Sequence, residues 1–274
     1  MQHTPFLVEP RQAEAMLRKN NWLVIDLGKP QTYQQQHLPG AINLNYEHIV
    51  HGKLPAPGLL PSSEHLQNLF AALNLTPDTN VLVYDDEGGG KACRFIWTLD
   101  MVGHKHYALL NGGIHSWANE GHPLEHQAAR PQPGPLSWAI DIIATDETPF
   151  ADKDYVVSKL GSEEHILLDT RTAAEYHGEK GGGLRRGHIP GAINFNWLDA
   201  IDRNNALRFY PDDHLQAGFD ALGVSKDKEI ITYCYTHHRA AHTYAVLRHL
   251  GYPRVKGYAG SWSEWGNDPD LPIE

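Results

Sequence analysis

The sequence predicts an α/β protein of two tandem domains, each a central parallel sheet flanked by helices, and three observations carry that prediction. The first is a repeat: "WLVIDL" (Trp22 to Leu27) and "HLPGAIN" (His37 to Asn43) return as "ILLDTR" (Ile166 to Arg171) and "HIPGAIN" (His188 to Asn194). The second is that short β-branched runs alternate with segments of helical periodicity in each copy, the pattern of parallel strands joined by crossover helices. The third is the stretch between the copies, "HQAARPQPGPLSWAIDIIATDETP", rich in proline, glycine and turn formers. It reads as a linker over 126–149, leaving domains of 1–125 and 150–274.

The elements recur in order. After the first strand and the "GAIN" turn comes a long helical region in each copy, then an apolar run: "NVLVYDD" (Asn80 to Asp86) and "KEIITYC" (Lys228 to Cys234). Each run leads into an amphipathic segment, then a glycine and another strand-like run, "GHKHYALLNGG" against "GYPRVKGYAGS". Both copies close on a tryptophan. Gly103, Gly112 and Trp117 stand at one constant spacing from Gly251, Gly260 and Trp265.

Composition excludes several classes. The 274 residues carry a net charge of −10 with dispersed Lys and Arg, whereas nucleic-acid binding needs a clustered positive field. Two cysteines, Cys93 and Cys234, are too few for a disulfide-stapled secreted fold. The opening residues have neither a basic nor an apolar signal region, and no apolar run approaches the roughly 20 residues of a membrane span. The expectation is a cytoplasmic protein, acting as a monomer without nucleic-acid or membrane partners. The 18 histidines are scattered, with no H-E-x-x-H and no C-x-x-C, so no metal and no other cofactor is expected.

Cys234 ends a predicted strand just before a helical segment, whose apolar spacing over Ala240, Ala241, Tyr244, Ala245, Leu247 and Leu250 places a helix start near Arg239. In doubly wound sheets, ligands bind beyond the carboxyl ends of the strands. Amides at a helix N-terminus stabilise an anion, and nearby cations add to the effect, so this position favours a thiolate. Arg239 supplies a charge, and His237 and His238 supply part of one according to pH and burial. A tight loop over Tyr235, Thr236, His237 and His238 turns its own amides inward, as anion-binding nests do. Arg171 ends "LLDTR" at the same sheet edge and is expected to bind an anion. Cys93 sits on a helix face in "KACRFIWTLDMVG" and is assigned no chemistry.

The first copy serves as an internal control. The constant spacing sets Asp86 opposite Cys234, while a slip of one residue would select Asp85 instead. Gly28 stands where the second copy has Arg171. "DDEGGGK" lacks the spacing of a phosphate-binding loop and its following Ser or Thr. The first copy is therefore expected to be non-catalytic.

These pieces resemble a two-domain rhodanese, a sulfurtransferase, over essentially the whole chain. The resemblance rests on the Asp169–Arg171 strand end, "GHIPGAIN" from Gly187, the six-residue loop "CYTHHR" and the closure "YAGSWSEW". It implies two similar domains with only the C-terminal one catalytic. It also implies that Cys234 accepts a sulfane sulfur as a persulfide and passes it on to cyanide, a thiol or an acceptor protein. Single-domain relatives often read C-x-x-G-x-R; this chain keeps Arg239 but has His237 at the glycine. The chain also resembles a bacterial branch with a T-H-H-R loop, and that resemblance points to thiosulfate as donor. Arg171, Tyr235, Thr236, His237, His238 and Arg239 would then form the substrate site. Two rival classes use similar parts: cysteine-dependent phosphatases or arsenate reductases, and non-catalytic sulfur carriers or interaction modules. Phosphatase loops of this type place five residues between cysteine and arginine, where this chain has four.

Overall fold

A computed structural model describes residues 5–19, 21–135, 138–142, 145 and 147–274. Residues 136–137, 143–144 and 146, within the expected linker, lie outside the described residues, as do 1–4 and 20. The chain gathers into two compact units. One comprises the chain up to Ile49, Pro61–Ile142 and Ile201–Phe209; the other comprises Val50–Leu60, Ile143–Ala200 and Tyr210–Glu274. Each unit thus includes a short arm from the other half of the sequence.

The first unit holds strands β1 (Leu7–Val8), β2 (Trp22–Asp26), β3 (Ile42–Asn43), β4 (Asn80–Tyr84) and β5 (Tyr107–Leu110) in the order β1-β5-β4-β2-β3. Its helices are α1 (Pro10–Leu17), α2 (Pro30–Gln35), α3 (Ser63–Ala72), α4 (Gly90–Met101) and α5 (Gly113–Asn119). The second unit holds β6 (Phe150–Ala151), β7 (His165–Asp169) and β8 (Ile193–Asn194). The arm that joins the first unit is a short antiparallel pair, β9 (Ile201–Asp202) with β10 (Arg208–Phe209). With β11 (Glu229–Tyr233) and β12 (Val255–Tyr258) the second sheet runs β6-β12-β11-β7-β8, the same order as the first. Its helices are α6 (Lys153–Lys159), α7 (Ala173–Tyr176), α8 (Asp212–Ala221), α9 (His238–His249) and α10 (Ser261–Trp265). Every pairing within the two five-stranded sheets is parallel.

The repeated motifs do the same work in both units. Strand β11 is buried along its whole length, as a strand covered on both faces must be, which explains its apolar, β-branched centre. The tyrosines ending the two central strands act alike: Tyr84 Oη accepts the Leu38 N–H at 3.1 Å and Tyr233 Oη accepts the Ile189 N–H at 3.2 Å, each pinning its "GAIN" turn. His37 stacks on Tyr33 and His188 on Tyr176, with ring centroids 3.9 and 3.7 Å apart. The closing tryptophans Trp117 and Trp265 are buried, and each indole N–H finds a proline carbonyl, Pro123 at 2.7 Å and Pro272 at 2.8 Å. Truncating a core aromatic of this kind costs about 3–5 kcal/mol.

Candidate active site

The second sheet delivers Cys234 at the carboxyl end of its middle strand. Tyr233 pairs with Asp169 across β11 and β7, so the chain leaves both strands at one edge. Cys234 is 1% exposed. Three residues later the chain enters α9, with His237 as the N-terminal cap in a left-handed conformation, φ +59°. This is the position that the related loops give to glycine, and the backbone here requires that conformation even though a side chain makes it costlier, by roughly 1–2 kcal/mol. His237 is fully buried. A left-handed residue between right-handed ones makes successive amides face one side, the concavity that anions favour.

The closure "YAGSWSEW" is the platform on which this loop sits. The Cys234 N–H donates to Ser261 Oγ at 3.3 Å, and Ser261 Oγ–H donates to the Tyr258 carbonyl at 2.7 Å. The first amides of α10 take the loop's carbonyls: Trp262 N–H reaches Cys234 O at 3.0 Å and Ser263 N–H reaches Tyr235 O at 2.9 Å. Ser261 also has positive φ, +52°, which aims these amides at the loop. Two glycines from distant segments close in as well. A side chain on Gly58 would overlap the Thr236 carbonyl, and one on Gly182 would come within 2.8 Å of the Tyr235 hydroxyl.

Arg239 lies in the first turn of α9 and grips Glu175 through both terminal nitrogens, at 2.7 and 2.8 Å. Glu175 in turn accepts from Thr172 N–H and Oγ1, forming a capping box on α7. Burial alone would push the Glu175 carboxyl up, but the Arg239 contact and the Thr172 hydrogen bonds bring it down to about 2. Burial works against the Arg239 charge too, yet Glu175 and the Cys234 sulfur together hold the guanidinium above its ordinary value. His238 and His242 lie beside Trp197, with ring centroids 5.8 and 5.3 Å away.

Arg171 departs from its expected place. Its side chain is 1% exposed, with Nε at 2.9 Å from Asp169 Oδ1 and Nη2 at 2.5 Å from Asp169 Oδ2 and 2.7 Å from Gly187 O. The guanidinium also lies 4.6 Å over the Trp262 ring. It braces the unit from inside, joining a strand end to the α10 platform. The reason is the neighbouring carboxylate: Asp169 is fully buried and needs a bidentate partner.

The first unit shows what this loop geometry is built to hold. Asp85 follows β4 as Cys234 follows β11: Ile114 N–H donates to Asp85 O at 3.1 Å, as Trp262 N–H does to Cys234 O. Asp85, and not Asp86, is therefore the counterpart of Cys234. The helices α4 and α9 keep the constant spacing of the later anchors, so the first loop is one residue longer and the slip falls within it. The Asp85 carboxylate is wrapped by four backbone amides, from Glu87 at 3.0 Å, Gly89 at 2.8 Å, Lys91 at 3.0 Å and Ala92 at 3.0 Å. The Asp85 carboxyl fills the cradle: burial and Glu87 push it above its ordinary value, and the Ala92, Glu87 and Gly89 amides work in the opposite direction. Gly28 does occupy the place of Arg171, its N–H donating to Asp26 as that of Arg171 does to Asp169. Burial pushes the Cys93 thiol far up, helped by Asp85 and Glu87, consistent with a cysteine that packs and does not react.

The residues that sequence reasoning missed are Glu175, Gly58, Gly182, Ser261 and Trp197. Glu175 had a local signal in the Thr172-x-x-Glu175 capping pattern. Gly58 and Gly182 had none, because a glycine's close approach to a carbonyl or hydroxyl leaves no mark on periodicity. A crevice of about 290 Å³ lined by residues such as Asn194, Asp199, His214 and Leu215 includes none of the loop residues. Among the described residues no cluster of three or more His, Cys, Asp or Glu is arranged to hold a metal, and no helix is long and apolar enough to cross a membrane.

The Rhodanese-like domain model matches residues 9–120 and 152–268. The chain is 43% identical over 270 residues to a thiosulfate sulfurtransferase of Azotobacter vinelandii, covering 98% of this chain and 97% of that one. It is also 43% identical, with the same coverage, to a thiosulfate sulfurtransferase of Pseudomonas aeruginosa. Among solved structures, the anaerobic ergothioneine biosynthesis enzyme of Chlorobium limicola superposes with a TM-score of 0.90 at 21% identity, over 100% of this chain and 71% of that one. That likeness speaks to the fold.

Proposed function

The chain belongs to the rhodanese family, and we infer from that membership that it is a thiosulfate sulfurtransferase working through Cys234. The Cys234 thiolate attacks the outer sulfur of thiosulfate; the S–S bond of the donor breaks and its electron pair leaves on sulfite. The extra sulfur remains on Cys234 as a persulfide anion. Cyanide, or a thiolate, then attacks that outer sulfur, the Cys–S–S bond breaks, and the pair returns to Cys234 as thiolate. Charge and electrons balance in both halves, and the alternation of two enzyme forms implies ping-pong kinetics.

The observation that carries this reading is the amide cradle around Asp85. The loop at the equivalent strand end of the first unit, one residue longer, surrounds its carboxylate with four N–H donors. The shorter loop after Cys234, turned by the left-handed His237, suits a sulfur anion in the same way, and preorganised donors of this kind stabilise charge without reorganising. Arg239 adds the one guanidinium in the loop, oriented by Glu175. Tyr235, Thr236, His237 and His238 contribute through their backbone, which shapes the cradle. Arg171 contributes at one remove, by supporting the strand end and Trp262. Four residues between Cys234 and Arg239 give a smaller ring than the five of phosphatase loops, which favours a sulfur atom over a tetrahedral phosphate.

The test is direct. On mixing with thiosulfate, the protein should release sulfite and gain one sulfur at Cys234 by intact mass and peptide mapping. Cys234→Ser should abolish thiosulfate:cyanide transfer, while Cys93→Ser should leave it near wild type. Hydrolysis of an aryl phosphate lost in Cys234→Ser, without sulfur uptake, would overturn the reading.

A further inference from the structure

Three large apolar side chains are exposed among the described residues: Leu54 at 81%, Val157 at 41% and Leu184 at 82%. Single exposed leucines are ordinary. The placement of Leu54 and Leu184 is not. Leu54 belongs to the arm Val50–Leu60, whose Gly58 packs against Thr236; Leu184 belongs to the loop whose Gly182 packs against the Tyr235 hydroxyl. Both segments border the residues directly after Cys234, and both present a bare leucine.

Both segments are anchored. The arm is closed at its neck by His51 N–H donating to Leu59 O at 2.7 Å. In the other loop, Leu184 N–H donates to Asn267 Oδ1 at 2.8 Å, and the Arg185 guanidinium binds the carbonyls of Leu271 at 2.6 Å and Trp265 at 3.1 Å. Held backbone means that each leucine is displayed at small further entropic cost, the condition for a contact that binds. The local charge is also reversed: exposed Lys53, Lys180 and Arg186 outweigh Glu179 on these segments, in a chain whose net charge is −10. Thiosulfate and cyanide are too small and too polar to use leucines.

We propose that this rim docks a sulfur-acceptor protein whose cysteine is surrounded by apolar side chains and an acidic surface. The proposal rests on the sulfurtransferase reading and names the partner class for its second half-reaction. Docked there, the acceptor's thiolate attacks the outer sulfur of the Cys234 persulfide; the Cys–S–S bond breaks, its electron pair stays on Cys234, and the acceptor leaves as a persulfide. Apolar anchors supply affinity and the charge pattern supplies rate and orientation.

The experiment uses the full chain loaded with thiosulfate, the added sulfur first confirmed by mass. Loaded protein is mixed with cyanide, with an acidic peptide carrying leucines on both sides of one cysteine, and with its basic counterpart. Sulfur transfer to the acidic peptide should be at least about tenfold faster than to the basic one, with the gap closing as salt is raised. The double variant Leu54→Ser, Leu184→Ser should lower the acidic-peptide rate about fivefold or more and leave the cyanide rate unchanged. Equal rates for the two peptides, or an unchanged acidic-peptide rate in the double variant, would overturn the docking surface while leaving the sulfurtransferase intact. Failure to take up sulfur from thiosulfate would sink both.

Discussion

Arg239 and Glu175 form a two-pronged ion pair, at 2.7 and 2.8 Å, that ties the first turn of the helix after Cys234 to the capping box of α7. The pair is partly buried, each side chain being under one-fifth exposed. It therefore couples the protonation of a carboxylate to the position of the loop's guanidinium.

Glu175→Gln should lower sulfur transfer and destabilise the fold, with a characteristic pH dependence. The folded carboxyl sits at about 2 against an ordinary 4.5, so the unfolded chain binds the proton more readily. The stabilisation is fully present above about pH 4.5 and disappears as pH falls through about 2. A shift of this size corresponds to roughly 3 kcal/mol as an upper figure. Urea unfolding at pH 7 should show a clear deficit for the variant, and that deficit should shrink steadily toward pH 2.5. A pH-independent difference would mean that the ion pair is not its source.

Arg171→Ala should act on the fold before it acts on the donor. Removing the guanidinium leaves Asp169 buried without its partner, a change that costs about 3–5 kcal/mol. Thermal denaturation and soluble yield are the primary readouts. A folded, fully stable variant with only a raised KM for thiosulfate would restore Arg171 to the substrate's side of the loop.

Gly58→Val should displace the Thr236 carbonyl and with it the loop. A misplacement of about 1 Å near reacting groups can cost about a hundredfold in rate. Gly52→Val, in the same arm but with open space around its α-carbon, is the control and should be near wild type. The comparison is read in kcat/KM for thiosulfate:cyanide transfer, with both proteins checked for folding by circular dichroism.

Asp85→Ala should lower stability by about 2–4 kcal/mol, because four amides lose a charged acceptor in a buried place. Formate or acetate should recover part of the loss in melting temperature, by entering the emptied cradle, while chloride at equal ionic strength should not. No recovery by either carboxylate would argue that the amides reach water instead.

Much of this architecture is legible in the sequence because it is written in periodicity and punctuation. "KEIITYC" announces a strand buried on both faces, the apolar spacing after His238 announces a helix, and the paired "PGAIN" turns and closing tryptophans announce the repeat. The helix was expected near Arg239 and begins at His238. What stayed hidden depends on side-chain direction and on backbone meeting backbone. Nothing in "LLDTR" tells whether Arg171 turns outward to an anion or inward to Asp169; the burial of Asp169 decides it. The arm that brings Gly58 to Thr236 comes from the other half of the chain and carries no motif. The register between Asp85 and Cys234 slipped because the extra residue sits in a loop, where no periodicity keeps count.

The filled cradle of the first unit bears on how its loop would answer to substitution. A loop whose amides are taken up by its own carboxylate has its shape set by the hydrogen bonds of the fold itself. Glycine at 88 and 89, both at positive φ, and the acid at 85 then form one structural package. Replacing the acid should therefore call for remodelling of the glycines as well, and paired substitutions at 85, 88 and 89 read by melting temperature would show that the three positions act as one unit.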